Sequence, residues 1–496
     1  MSAAVPFFSL KKGWSDRQIA FFIFLGLWLT YAFMTPGYRS AYTPNAVSRM
    51  ALVFSIIENH SLNIDKFALT PRLLDKAFFD GSYYSDKVPG LSFTALPFVA
   101  TVFCVAKTLG MQVTERSPHF YSLTVFVACL FTSALSSAVA ASVIFLLSRH
   151  WQLRRDTAVF SSLLYGLATP VAGWATMFIG HAMAGSLLIM AFALTIFATE
   201  TEEYARWDVE IGFLEGVLLS WSLSVEFTGA PAALILGTFG VRRLFELPAS
   251  RRIRLLVGAI AGGATAAVPL AVYNYLAFGS IWHLAYENVS VADFPGMKVG
   301  LLGVTMPSPA VLFELILGLR RGILWISPVL LFAPIGYFYA FRHLRFDVAL
   351  VLILVPTTYL LINSGYYYWD GGWSTGPRHI TASLGFISLT FGPLWNFASP
   401  KMRPVLLIGF VISGVISLAC ASVDMTTPMD VEPALFEYIL PDFFTGQVHN
   451  VLSTKIPRLL SLLAIPLLWV LAAIIAKGAA SVCRRFRSNA SSHQRA

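Results

Sequence analysis

A short segment around residue 85 combines residue types that could hold a phosphate. Tyr83 and Tyr84 are followed by an adjacent acid and base, Asp86 and Lys87, and then by a Pro-Gly step. Tyrosines favour the membrane–water interface, and a lysine beside them would lie at the depth of lipid phosphates. The segment therefore predicts a phosphate-binding lysine with two tyrosines beside it. The alternative is a structural ion pair whose lysine extends along the interface to water.

A second cluster, residues 366–379, is rich in aromatic residues and glycine. Aromatic rings stack on sugar rings, glycines let a ligand approach the backbone, and an arginine fork binds phosphate. The candidate binding residues of this cluster are Tyr368, Trp369, Asp370, Trp373, Arg378 and His379. The alternative is an aromatic belt at the interface followed by an ordinary loop.

Three isolated polar residues in apolar surroundings are further candidates for binding. Arg321 begins an apolar stretch and is either a phosphate ligand or an anchor at a helix end. His181 is alone at the end of an apolar run, where a histidine is more often an interfacial or satisfied core residue than a catalytic one. A carboxylate in an apolar turn, such as Glu226, must be paired, hydrogen-bonded or protonated, so we expect a partner such as an external arginine.

The composition of the chain is that of a membrane protein. Only 12% of its 496 residues are charged, and its mean hydropathy is +0.69. So few charges cannot cover such an apolar chain in water, which excludes a soluble enzyme, a disordered chain and a nucleic-acid-binding module. The predicted fold class is therefore an all-α polytopic membrane protein. The charge density of residues 37–90 cannot lie in hydrocarbon and predicts a large first external loop, residues 37–117.

Apolar runs of spanning length predict about twelve transmembrane helices. The run 211–240 is too long for one helix and is interpreted as two short spans joined by an external turn at Glu226. The run 91–109 is long enough to cross, but the lysines and arginines of the short loops favour a position along the interface, with both termini inside. The predicted organisation is a cytoplasmic N-terminus 1–18, a transmembrane catalytic module 19–400, C-terminal helices 401–476 with an external loop 423–457, and a basic cytoplasmic tail 477–496.

With this topology, the polar residues that interrupt apolar sequence gather at the external rim. A transporter would place its ionisable residues near the midplane of the membrane. Their position at one rim favours an enzyme whose substrate arrives partly from the bilayer.

The first span, its charged external loop and the motif Tyr-Tyr-Ser-Asp-Lys-Val-Pro at 83–89 resemble a known superfamily. This is the GT-C superfamily of membrane glycosyltransferases that use polyprenyl-phosphate sugars, among them protein O-mannosyltransferases and lipid A aminoarabinose transferases. The resemblance covers about residues 15–400 and includes the stretches 49–65, 273–280, 321–328 and 371–378. It implies a GT-C-like fold in which the first loop carries juxtamembrane helices, with 91–109 as one of them.

The sequence departs from this superfamily at Asn45. Relatives carry an acidic residue or acidic pair there, ahead of an arginine that matches Arg49, and an asparagine cannot act as a general base. The base is then expected among the other carboxylates of the first loop. The candidates are Asp75 and Asp86, which lie nearest the phosphate motif, and then Asp65.

The resemblance implies an inverting transfer of one sugar from a polyprenyl-phosphate donor to an acceptor hydroxyl, on the periplasmic face of a bacterial inner membrane. Lys87, with Arg378 and Arg321, would stabilise the leaving phosphate. The expected partners are the lipid-linked donor, the bilayer and an acceptor glycan, lipid or protein, with no nucleic acid. No residues are assigned to a metal, and a divalent cation, Mg or Mn, is a candidate cofactor. The alternatives are a transporter or flippase of lipid-linked sugars and an inactive relative that only binds polyprenyl phosphate.

Overall fold

The computed structural model describes residues 13–35, 42–68, 73–111, 117–289, 294–453, 455–456 and 458–493, with the side chains of 458 and 480–493 left out. The first part contains α1 (Asp16–Met34), α2 (Pro44–Asn59), β1 (Lys76–Phe79), β2 (Ser82–Ser85), α3 (Gly90–Thr108), α4 (Pro118–Cys129), α5 (Leu135–His150), α6 (Arg155–Leu167) and α7 (Val171–Trp174). The middle part contains α8 (Gly180–Glu200), α9 (Asp208–Val225), α10 (Ala230–Leu244), α11 (Ala249–Phe278), α12 (Pro309–Ile316), α13 (Ile323–Ile326) and α14 (Ala333–His343). The last part contains α15 (Phe346–Gly365), α16 (Leu384–Phe397), α17 (Met402–Val423), α18 (Leu440–Phe444), α19 (Arg458–Ser461) and α20 (Ala464–His493).

Within the described residues, eight helical segments are long and apolar enough to cross a membrane. They are α1, α3, the continuous unit of α4 and α5, α8, α11, α15, α17 and residues 459–479. Shorter helices, such as the 13-residue α6 and the 14-residue α16, lie between them. The predicted all-α membrane fold is thus confirmed, whereas the count of twelve crossings stays a prediction.

The first loop contains a β-hairpin. The motif at 83–89, here called the phosphate motif, begins in the second strand of this hairpin. The side chain of Thr43 caps α2 and Pro44 occupies its first turn, as is usual where a helix begins. Strands β1 and β2 pair antiparallel, and both turn residues, Asp80 and Gly81, have positive φ, 46° and 83°. Such a two-residue turn matches the twist of a hairpin. Asp86 therefore follows directly on a strand whose register is fixed.

The long apolar run 211–240 is broken where the sequence indicated. Helix α9 ends at Val225, a short 3-10 turn covers Phe227–Gly229, and α10 begins at Ala230 with a proline in its first turn. Glu226 has extended backbone between the two helices. The break turns the chain back on itself and leaves this carboxylate at a helix end.

The two ends of the bundle carry different chemistry. At 1.5 Å per residue the 21-residue helix α8 is about 30 Å long, so His181 and Glu200 lie near opposite faces of a membrane. At the Glu200 end, its carboxylate accepts from the buried Arg243 at 2.6 Å, and Arg242 pairs with Asp347 at 2.5 Å. This network ties the ends of three helices together. The candidate site residues lie at the other end.

Candidate active site

A cavity of about 550 Å³ opens at the His181 end of the bundle. Its walls come from the first turn of α2, the segment after β2, the start of α8, the turn before α10, the end of α15 and the segments 284–289, 294–304 and 366–379. A concave, mostly apolar cavity with a few convergent polar groups is the usual form of a small-molecule site. The segments that the sequence predicted at the external rim thus meet around one cavity.

Lys87 lies between two carboxylates on the cavity wall. Its Nζ is 3.0 Å from Asp75 Oδ2 and 2.8 Å from Asp86 Oδ2. Asp86 is buried, and the hydroxyl of Ser48 donates to its other oxygen at 3.3 Å. Asp75 is more exposed, and no hydrogen bond to its second oxygen is found within the described chain. Of the two carboxylates, Asp75 is therefore the one with an oxygen available to a ligand.

Burial and the neighbouring charges shift the pKa values of Asp86 and Lys87. Burial raises the pKa of Asp86, Lys87 opposes that rise and Asp75 adds to it. Burial would lower the pKa of Lys87, but the carboxylates of Asp75 and Asp86 outweigh it and raise that pKa above its ordinary value. The ammonium therefore stays charged at physiological pH, and Asp86 is more basic than an exposed aspartate.

Glu226 has the arginine partner that its apolar position demanded. The guanidinium of Arg49, which is 0% exposed, donates from Nη2 to Glu226 Oε1 at 2.7 Å. The same guanidinium donates from Nε to Asn45 Oδ1 at 2.9 Å and from Nη1 to the carbonyl of Val88 at 3.0 Å. Arg49 therefore ties the start of α2, the phosphate motif and the turn before α10 into one unit. Asn45 faces the cavity as a neutral amide held by this arginine.

The loop 366–379 covers one side of the cavity with aromatic rings and a free arginine. The ring of His379 is 5.5 Å from that of Tyr366 and 5.3 Å from that of His181. Arg378 has no ion pair within the described residues, and its buried Nε has no hydrogen-bond partner there. Burial, followed by the charge of Arg378, holds the pKa of His379 well below its ordinary value. Arg378 is thus a cation available to an anionic ligand, beside a neutral imidazole.

This loop is held from behind by Arg320 and Arg321. The buried guanidinium of Arg321 donates to the carbonyls of Asp370 at 2.8 Å and Gly372 at 2.9 Å. Arg320 pairs with the carboxylate of Asp370 at 2.6 Å. Both arginines therefore fix the backbone that presents Arg378, and Arg321 does not line the cavity.

Nine of the candidate residues taken from the sequence line the cavity. They are Asp75, Asp86, Lys87, His181, Glu226, Tyr368, Trp373, Arg378 and His379. Six others do not, namely Asp65, Tyr83, Tyr84, Arg321, Trp369 and Asp370. Asp65 accepts the backbone N–H of Tyr83 at 2.6 Å and so supports the hairpin, and Tyr84 packs against Phe278 with ring centroids 5.1 Å apart.

Other cavity residues were not singled out from the sequence. Tyr286 lies in the 3-10 turn Ala285–Asn288, and its ring faces Lys87 Nζ at 6.0 Å. Tyr359 and Asn363 lie near the end of α15 and line the cavity. Both belong to an otherwise apolar run. The one feature of the sequence that could have indicated them is the spacing of four residues, which places a tyrosine and an asparagine on the same face of a helix.

The described residues do not form a metal site. No group of three or more His, Cys, Asp or Glu among them is arranged to hold a metal ion. The ammonium of Lys87 lies between Asp75 and Asp86, in the position that a cation would otherwise take. These carboxylates therefore do not fit the divalent cation considered from the sequence.

Comparison with known proteins gives likenesses of structure. The sequence matches no protein-family model and no curated protein. The crystal structure of ArnT from Cupriavidus metallidurans bound to undecaprenyl phosphate is similar over 93% of this chain and 75% of that one, with 14% identity and a TM-score of 0.51. The apo oligosaccharyltransferase from Archaeoglobus fulgidus is similar over 84% of this chain and 57% of that one, with 13% identity and a TM-score of 0.48. At 14% identity the likeness to ArnT shows a shared fold.

Proposed function

We propose that this protein transfers a single sugar from a polyprenyl-phosphate donor to an acceptor hydroxyl at the external face of the membrane. The observation that carries the proposal is the pairing of Asp75, Asp86 and Lys87 on the wall of a cavity that also contains the unpaired Arg378. The cavity thus combines a base, cations for a phosphate and aromatic rings for a sugar. The ArnT structure of the same fold is bound to undecaprenyl phosphate, which supports a lipid phosphate as the ligand.

In the proposed reaction the acceptor oxygen attacks the anomeric carbon as the bond to the phosphate oxygen breaks. Asp75 accepts the proton of the acceptor hydroxyl, and the anomeric configuration inverts because attack comes from the face opposite the leaving group. The leaving polyprenyl phosphate gains one negative charge. Arg378 and Lys87 stabilise that charge more strongly in the transition state than in the ground state.

Asp75 is preferred as the base for geometric reasons. Asp86 uses one oxygen for Lys87 and the other for Ser48. Asp75 gives only one oxygen to Lys87 among the described contacts and has the more exposed side chain, 16% against 2% for Asp86. Asp86 then orients the lysine and keeps it charged.

The test is transfer of a labelled sugar from polyprenyl phosphate by membranes that contain the protein. Asp75→Asn is expected to lower the rate by about 10² to 10⁴-fold, the usual contribution of a general base. Lys87→Ala is expected to abolish transfer while the protein still folds. Asp80→Asn, in the hairpin turn outside the cavity, is the matched control and should keep wild-type activity.

Other outcomes would change the assignment. Equal, mild losses in Asp65→Asn, Asp75→Asn and Asp86→Asn would mean that the base is not in this loop. Tight binding of polyprenyl phosphate by wild-type protein without any transfer would indicate an inactive relative, and movement of the intact donor across vesicles would indicate a flippase.

A further inference from the structure

The lining of the cavity carries buried polar atoms without partners in the described chain. They are both side-chain polar atoms of Asn363, the hydroxyl of Tyr359 and Nε2 of His181, on residues that are 3%, 5% and 5% exposed. All three residues line the cavity. Buried polar groups in native proteins are normally hydrogen-bonded, so a set of unpartnered ones in the lining of one cavity indicates a polar ligand.

These atoms belong to two groups of residues that line the same cavity. Tyr359 and Asn363 are four residues apart on α15 and therefore share a face of the helix. The ring of His181 is 5.3 Å from that of His379, whose Nε2 is also unpartnered, as is the hydroxyl of Tyr367. We call these five residues, His181, Tyr359, Asn363, Tyr367 and His379, the inner polar wall.

The charged residues of the cavity limit what this wall can bind. Every carboxylate among the described lining residues is already in an ion pair: Asp75 and Asp86 with Lys87, and Glu226 with Arg49. The one available carboxylate oxygen, on Asp75, is assigned to the proton of the acceptor, so a sugar with an ammonium group would compete for the proposed base. A sugar with a carboxylate would compete with the lipid phosphate for Arg378.

We propose that the inner polar wall binds the hydroxyl groups of a neutral sugar, one that carries neither an ammonium nor a carboxylate group. This inference rests on the proposed function and specifies its donor. Amide, phenol and neutral imidazole groups both donate and accept hydrogen bonds, as sugar hydroxyls do. Burial keeps the imidazole of His379 neutral, which favours this match.

The experiment compares four ligands on the purified full-length protein. They are a polyprenyl phosphate alone and the same lipid carrying a neutral hexose, an amino sugar or a uronic acid. We expect the hexose to improve affinity about tenfold over the bare lipid phosphate, the gain of one or two hydrogen bonds, and the charged sugars to give no gain. Asn363→Leu should abolish the gain from the hexose and leave the affinity for bare polyprenyl phosphate unchanged.

The control is Tyr273→Phe, which removes a buried, unpartnered hydroxyl that lies outside the cavity. This variant should keep the full gain in affinity from the neutral hexose. An undiminished gain in Asn363→Leu, or tighter binding of the amino sugar or the uronic acid, would overturn the inference and leave the proposed function standing. If Asn363→Leu does not fold, Tyr359→Phe serves the same comparison. Failure of the wild-type protein to bind any of the lipid phosphates would overturn the proposed function, and the neutral-sugar inference with it.

Discussion

Lys87 and Arg378 differ in the charge that each can offer to a ligand. Lys87 is held within 3.0 Å of two carboxylates, so much of its charge is already compensated. Arg378 has no ion pair in the described part of the chain and lines the same cavity. We therefore assign the main phosphate contact to Arg378, while Lys87 orients the carboxylates and adds charge as the leaving group departs.

We expect the buried ion pair between Arg49 and Glu226 to contribute strongly to the free energy of unfolding. Glu226→Gln would leave the guanidinium of Arg49 buried without a compensating charge, which costs about 3–5 kcal/mol in comparable pairs. Glu58→Gln is the matched control. Glu58 lies on the same helix as Arg49 and pairs with the exposed Lys66 at 3.1 Å, so its substitution should cost less than about 1 kcal/mol. Thermal unfolding in detergent measures both. Equal losses in the two variants would contradict the structural role of this pair.

The buried imidazole of His379 predicts a pH dependence of stability. Because its folded-state pKa lies well below the ordinary value, the unfolded chain binds this proton more readily than the folded protein does. Stability should therefore fall as the pH drops below about 6.5, the ordinary histidine value. His379→Gln should make the melting temperature depend less on pH between about 7.5 and 5.5. An unchanged pH dependence in this variant would mean that protonation of His379 does not lower the stability of the folded protein.

At the level of elements, the sequence predicted some breaks and missed others. Glu226, Gly229 and Pro231 marked the turn between α9 and α10, because a carboxylate and a proline both oppose a continuous apolar helix. The two strands on either side of the turn at Asp80 and Gly81 were not predicted. The short strands Lys76–Phe79 and Ser82–Ser85 carry little alternation of apolar and polar residues, so their pairing depends on contacts distant in sequence.

The contact between α3 and α9 positions the phosphate motif. A Cβ at Gly90 would lie 2.3 Å from the backbone carbonyl oxygen of Ser224, so a side chain there must push α3 away from α9. We expect Gly90→Val to shift the neighbouring Val88 and Lys87 and to lower sugar transfer at least tenfold, because catalytic groups tolerate misplacement of about 1 Å poorly. The transfer assay on membranes with equal amounts of protein measures this.

Gly237→Ala on α10 is the control for this substitution. A Cβ at Gly237 meets no atom within 4 Å, so the variant should keep wild-type activity and gain slightly in stability. Wild-type transfer by Gly90→Val would show that the approach of α3 to α9 does not set the geometry of the site.

At the scale of the whole molecule, the site draws on residues from Thr43 to Thr426. The sequence identified the segments that meet there, because charged and aromatic residues stand out in a chain with 12% charge. It could not tell which side chains point into the cavity. Arg321 and Arg378 were both candidate phosphate ligands, with a helix-end anchor as the alternative for Arg321. Their roles differ because the guanidinium of Arg321 is used by backbone carbonyls, whereas that of Arg378 is not.

The orientation of the whole chain depends on whether α3 crosses the membrane, and cysteine labelling can decide it. Cys104 is exposed and Cys129 and Cys420 are buried, so a background with Cys104→Ser and Cys483→Ser should react little. Leu74→Cys, at a position that is 56% exposed in the first loop, should react with a membrane-impermeant maleimide in intact cells. If α3 lies along the interface, Ser399→Cys, between α16 and α17, should react only after the cells are permeabilised. Labelling of both positions in intact cells would mean that α3 crosses and that every later loop lies on the opposite side.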